Sequence, residues 1–203
     1  MHPSVQARLS VGRTVRAMAR CLIRTLELLA RRRIHLPVVN RGARIDFADG
    51  TAAHVFRETV IDRAAARNPC VLAVEFQLRA VHGAGHALFR RESLLNTLLF
   101  AGFPGLITKL WLAHDQRGRY RGLYEWDDPA AAESYARTLW GVLALVCVPG
   151  SIAYRVLPGL RRADLLEPAD SSGAGDTTED DLWWLPVRSS RPIVATAPVG
   201  IAS

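Results

Sequence analysis

The sequence predicts an α+β domain whose core runs β-α-β-β-α-β, an antiparallel four-stranded sheet backed by two helices. Three observations lead there: a strand-like alternation at 70–81, helical apolar spacing at 85–100, and a hairpin at 104–126 followed at once by a helix-capping pair. At 203 residues the chain holds one such domain plus extensions and is long enough to bury a real core. Its 49% apolar content excludes wholesale disorder.

Each core element has a local reason. In "CVLAVEFQLRAV" (70–81), Leu72, Val74, Phe76 and Leu78 alternate with Ala73, Glu75, Gln77 and Arg79, as a strand with one apolar face requires. "GHALFRRESLLNTLLF" (85–100) carries the first helix. The segment from Pro104 to Trp126 forms two strands with a turn near Arg117-Gly118. Asp128 is placed as the N-cap and Pro129 as the first residue of the second helix, which runs through Tyr135, Leu139, Val142 and Val146 to a stop at Pro149-Gly150. "SIAYRVL" (151–157) supplies the fourth strand. This order is the split-βαβ, or ferredoxin-like, pattern.

Three extensions surround that core at 68–162. Residues 1–43 form a basic amphipathic helix and connector: Val11, Val15, Met18, Leu22, Leu26 and Leu29 gather on one side, and Arg13, Arg16, Arg20, Arg24 and Arg31 on the other. Residues 44–62 read as a small added hairpin, with Asp49-Gly50 at its turn. Residues 163–203 form an acidic flexible tail that includes "LWWLPV", expected to fold back across the protein's own surface. The net charge of +7 divides accordingly: ten arginines against Glu27 in residues 1–44, and seven acids against Arg188 and Arg191 in residues 163–203. The tail's acids and the basic helix are electrostatic counterparts.

Composition narrows the function classes. Cys21, Cys70 and Cys147 are far apart and odd in number, which speaks for a reducing cytoplasm and against a disulfide scaffold or a zinc site. The arginines of the first segment interrupt any secretory apolar core. Their Arg-rich, acid-poor character is shared with organelle transit peptides, but the near-absence of lysine points instead to a GC-rich bacterial genome. The uncharged run Thr138–Tyr154 is broken by Pro149-Gly150 and falls short of the ~20 residues that span a bilayer. The expected location is cytoplasmic, with peripheral contact at the inner face of a membrane if the basic helix lies on anionic lipid. A helix packed on the domain or on a second subunit is the alternative. Nucleic acid is not an expected partner, because no exposed aromatics interleave the arginines.

"PGLITKLWLAHDQRGRYRGLYEWDDPAAAESY" (104–135) resembles the YdhR-like monooxygenases of the dimeric α/β-barrel superfamily. The resemblance rests on Pro104-Gly105, Lys109 and Trp111, the Gly122-Leu123-Tyr124 step, the acid after the strand, and the alanine-rich helix with Tyr135; it covers about ninety residues. It implies a homodimer in which two ferredoxin-like sheets pack face to face. It also implies kinship with cofactor-independent monooxygenases of polyphenols, with haem-degrading enzymes and with members that catalyse nothing. No cofactor is expected; haem, held by His86 or His114, is the alternative the resemblance brings. His82 and His86 lack a third neighbour, so no metal site is expected.

Candidate site residues follow from the core elements. On a wheel started at Leu88, Glu92 and Asn96 lie about 40° and 80° from the apolar direction, leaning toward the sheet. Glu92 is the candidate acid or base and Asn96 the candidate donor to a substrate oxygen, weighed against purely structural pairing. Around the turn at Arg117-Gly118, one side carries Ile107, Lys109 and Trp111 with Gly122, Tyr124 and Trp126, and is expected to include Glu75 and Gln77. The opposite side gathers Leu110, Leu112 and Leu123. Lys109, Trp111, Tyr124, Trp126 and Tyr135 are the candidate ligand-binding residues, and their face is assigned to the dimer seam ahead of a flat aromatic ligand. Two functions stay open: a cofactor-independent monooxygenase-like protein acting on or binding a small aromatic or polyketide-like molecule, and a non-catalytic dimeric module attached to a membrane or partner through its arginine-rich helix.

Overall fold

The computed structural model describes residues 11–63, 66–79, 100–167 and 182–194. The expected first core helix, with Glu92, Asn96, His82 and His86, lies outside the described residues. So does most of the acidic stretch before Leu182.

The four core strands are β4 (Cys70–Gln77), β5 (Leu106–Leu112), β6 (Arg119–Trp126) and β7 (Ala153–Pro158). They lie in the order β7-β4-β6-β5, all neighbours antiparallel, which is the ferredoxin-like arrangement. Gly118, at φ 75°, closes the β5–β6 turn in the left-handed conformation that glycine tolerates. Helix α2 (Pro129–Leu143) crosses from β6 to β7, and the Asp128 carboxylate accepts from the Ala131 N–H at 2.9 Å. The helix stops at Leu143, one turn short of the expected Val146.

The hairpin proves to be more than an appendage. β2 (Arg44–Phe47) and β3 (Ala52–Ile61) flank Gly50, whose φ of 74° serves the tight turn. β3 is long enough to belong to two pairings: its first half pairs with β2, and after a bulge near Phe56 its second half pairs with β5. Bulges bend and twist a strand, so the sheet curls and lays the hairpin over one of its own faces. β1 (Ile34–His35) pairs with the end of β3, and β8 (Pro186–Ser189) extends β2.

Two apolar layers result. On the hairpin side Ile45, Phe47, Ala53 and Val55 pack on Val71, Ala73, Leu110, Leu112 and Leu123, joined by Leu157 and Leu165 of the short helix α3 (Arg162–Leu166) and by Trp183 and Trp184. Of the tail, Trp183, Trp184, Leu185 and Ile193 pack on the hairpin side of the sheet. On the helix side Leu72, Val74, Leu106, Tyr124 and Trp126 pack on Tyr135, Ala136 and Leu139 of α2 and on Phe100 and Phe103.

These layers correct the assignment of the seam. Lys109 pairs with Tyr124 and Trp111 with Gly122, so the expected parity holds, but that face lies beneath the chain's own helix. A bulge between Leu106 and Thr108 puts Leu106, not Ile107, opposite Trp126. Glu75 pairs with Arg121 and Ala73 with Leu123, which turns Glu75 and Gln77 to the opposite, hairpin-side face. The opposite face, with Leu110, Leu112 and Leu123, is the one that the hairpin and residues 182–194 cover.

Helix α1 (Val11–Ala30) brings a second correction. Its inward side is Cys21, Thr25 and Leu28, whereas Val15, Leu22, Leu26 and Leu29 are exposed. Gly102 explains the choice: a Cβ there would sit 2.1 Å from the Cys21 carbonyl oxygen and 2.7 Å from the Thr25 nitrogen. The helix approaches so closely because it offers small side chains and meets a glycine. No helix among the described residues is long and apolar enough to cross a membrane.

Candidate functional site

The chain's one lysine occupies the middle of β5, on the helix side, almost wholly buried. Its neighbours are set by register. Tyr124 lies directly across on β6 and Thr59 directly across on β3, while Trp111 follows two residues along with Arg57 opposite. The Lys109 Nζ stands 3.0 Å from the centre of the Trp111 ring and 4.5 Å from that of Tyr124. Among the described residues no carboxylate pairs with it. Burial pushes its pKa well below the ordinary lysine value, and the positive charge of Arg57 adds to the effect.

The rings around the amine are held in turn. The Trp111 Nε1–H donates to Thr59 Oγ1 at 3.0 Å, and the Arg57 guanidinium lies 5.6 Å from the Trp111 ring. The Tyr124 ring folds back over Gly122, where a Cβ would come within 2.7 Å of its Cε2. A side chain at 122 would push that ring away from the lysine. Tyr135 donates a long hydrogen bond of 3.4 Å to the Tyr124 hydroxyl and meets Trp126, Phe103 and Phe100 at centroid distances of 4.9, 5.0 and 5.8 Å. Desolvation raises the pKa of both tyrosines, so neither supplies an anion to the amine.

Lys109, Trp111, Tyr124 and Tyr135 therefore converge, as the shared strand face predicts. Trp126 does not reach the amine; its indole packs beneath Tyr135, and its buried Nε1 has no acceptor among the described residues. Arg57 and Thr59 join the site unforeseen. A hint was present in "HVFRETVI", where Arg57 and Thr59 share one side of a β-prone run. Only the pairing of β3 with β5 shows which face they enter.

The arrangement presents a nitrogen base, a guanidinium and two indole or phenol faces in a low-dielectric setting. A neutral amine there can accept a proton, and the ammonium so formed gains from the ring faces. The cysteine thiols are quenched. Burial pushes the thiols of Cys21 and Cys147 up to about 11 and that of Cys70 to about 12, so all three stay protonated at neutral pH. His114 lies beyond the end of β5 with its ring 5.5 Å from Tyr120. Among the described residues no three His, Cys, Asp or Glu side chains cluster in a way that would hold a metal ion.

The opposite face is chemically different. There Arg121 is buried among Glu75, Asp49 and Asp115 at 2.7, 2.8 and 3.4 Å, and its Nη1 donates to Thr51 Oγ1 at 2.6 Å. This network clamps the hairpin turn to the sheet. Burial outweighs the pull of Arg121 and Arg119 on Glu75, whose carboxyl is raised above its ordinary pKa. A second clamp joins Arg162 of α3 to Glu58 at 2.6 Å, and Glu58 also accepts from Asn40 at 2.7 Å.

No protein-family model and no curated protein matches the chain. Solved structures of similar fold exist. A ferredoxin-fold protein related to antibiotic biosynthesis monooxygenases, from Listeria monocytogenes, is 14% identical with a TM-score of 0.41, the match covering 55% of this chain and 66%, just under two thirds, of that one. A monooxygenase-like protein from Listeria innocua is 15% identical at a TM-score of 0.39, over 55% and 67% of the two chains. A major regulator of staphylococcal pathogenesis is 16% identical at a TM-score of 0.36, over 55% and 69%.

Proposed function

We propose that the protein binds a small aromatic or polyketide-like molecule against the helix side of its sheet and takes a proton from it with Lys109. The observation that carries this reading is the buried amine between the Trp111 and Tyr124 rings, with no carboxylate partner among the described residues. Burial and the charge of Arg57 hold the lysine's pKa well below its ordinary value, which enlarges the neutral fraction of the amine able to accept a proton. An acidic phenol or a carbon acid between two carbonyls would give up its proton to Nζ. The ammonium and the Arg57 guanidinium would then face the substrate anion, while flat ring faces bind its apolar body.

In the monooxygenase-like reading dioxygen is the co-substrate. The substrate carbon that carried two hydrogens is oxidised to a carbonyl; one oxygen atom bonds to it and the other leaves as water with those two hydrogens. The chain's part is to hold the anion and exclude bulk water. Glu92 and Asn96 are proposed as a second acid or base and as a donor to a substrate oxygen. YdhR-like identity is part of this same proposal. A homodimer is proposed only through a surface other than the leucine face, because a second sheet there would have to displace the hairpin and residues 182–194.

The test is a panel of hydroquinones and anthrones incubated with protein under oxygen, followed by oxygen uptake and quinone absorbance. Wild type is expected to consume oxygen, and Lys109→Met to lose about 100-fold or more of the rate while keeping its fold. Ligand binding without uptake would leave a binding module. Neither binding nor uptake by the wild type, or an unaffected Lys109→Met, would overturn the reading.

A further inference from the structure

We infer that α1 docks the protein on an anionic lipid surface, an inference that does not depend on Lys109. The helix has three sectors. Cys21, Thr25 and Leu28 are buried against the domain; Arg16, Arg20 and Arg24 face solvent. Between them runs an exposed apolar stripe: Val15, Leu22, Ile23, Leu26 and Leu29 are 60%, 38%, 69%, 55% and 40% exposed. At 100° per residue the stripe spans roughly 120°, from Leu29 to Ile23, and Arg16 borders it directly.

Charge and area decide the occupant. The helix carries a single acid, Glu27, already paired with Arg31 at 3.0 Å, and Arg31, Arg32 and Arg33 follow its end. An apolar stripe edged by arginines with almost no acid matches the interface of a bilayer containing anionic lipid. The five side chains expose on the order of 400 Å² together, against about 800 Å² per partner in a standard protein interface. A second copy is therefore the poorer fit. Leu166 and Leu185 both pack on the hairpin side of the sheet, whereas Cys21 and Leu28 of α1 pack on the helix side. At 20 residues the helix is about 30 Å long, but four arginines within it rule out spanning, so it lies in the interface plane.

Co-sedimentation of the full chain with vesicles tests this. Wild type is expected to pellet with phosphatidylcholine vesicles containing phosphatidylglycerol, hardly at all with phosphatidylcholine alone, and less in high salt. Ile23→Asp with Leu26→Asp changes exposed positions, so circular dichroism and the melting temperature should hold while binding falls at least about tenfold. Arg16→Gln with Arg20→Gln and Arg24→Gln should weaken binding and abolish its salt dependence. Failure of the wild type to pellet, or equal binding by the aspartate variant, overturns the proposal. So does a vesicle-free dimer that the aspartate variant dissociates, which would assign the stripe to a second copy.

Discussion

Lys109→Met isolates what a buried amine does to this fold. Methionine keeps the length of the side chain and its contact with the Trp111 ring, but cannot ionise. The folded pKa of Lys109 lies well below 10.5, the value expected in the unfolded chain. Between those two values the unfolded chain holds a proton that the native state lacks, so unfolding takes up a proton and is favoured as pH falls. The lysine's contribution to stability thus worsens from pH 10.5 downward and levels off below the folded pKa, where both states are protonated. With one proton at stake the slope is at most about 1.4 kcal/mol per pH unit. Urea unfolding of both proteins from about pH 7.5 to 10 reads it directly. The stability difference, wild type minus variant, is expected to climb with pH at up to that slope, with the methionine protein gaining ground toward neutrality. A difference that stays flat across the range would show that the fold does not perturb the amine, and the base assigned to Lys109 would go with it.

Three further outcomes follow from the packing. Gly122→Ala sets a Cβ 2.7 Å from Tyr124 Cε2, so it should cost about 1–3 kcal/mol in chemical denaturation and alter the near-ultraviolet dichroism of the ring cluster. Arg121→Met strips Asp49 and Asp115 of their buried cation and leaves Glu75 only the half-exposed Arg119 in a dry site, and should cost about 3–5 kcal/mol at neutral pH. That deficit should shrink on acidification, because protonation removes the stranded charges; a constant deficit would refute the account. Deleting residues 182–203 uncovers the sheet around Ala73, Leu110 and Leu123, and sedimentation velocity should show loss of the wild-type oligomeric state through new association.

What could be read from the sequence was local. Asp49-Gly50, Gly118 and the Asp128-Pro129 pair announce themselves because their chemistry acts within four residues, and the strands between them inherit their bounds. The shared face of Lys109, Trp111 and Tyr124 was legible for the same reason, since turn length fixes parity. Which layer covers that face was not. Both faces of this sheet are buried, so the alternation of leucine with polar-tipped aromatics in β5 no longer tells core from surface. Glu75 was misplaced on that account: buried with Arg121, it looks in sequence like a solvent-side residue. For α1, burial follows not the apolar arc read from the sequence but Cys21 and Thr25, which fit against Gly102.

The two faces of the sheet differ in how they treat buried charge, and the difference singles out the site. On the hairpin side, Arg121 and Arg162 each have carboxylates within 2.6–2.8 Å, the arrangement by which a fold tolerates ionised groups away from water. On the helix side Lys109 has rings in place of an acid. As a purely structural element it is a poor choice, since an apolar residue of similar size would fill the same volume without any desolvation cost. A carboxylate nearby would have kept the amine charged and quiet; its absence among the neighbours described keeps the amine basic. Under the proposed function the feature that weakens the fold is the one that would supply chemistry, so Lys109→Met should trade activity for stability, whereas Lys109→Arg, charged at every accessible pH, should lose both.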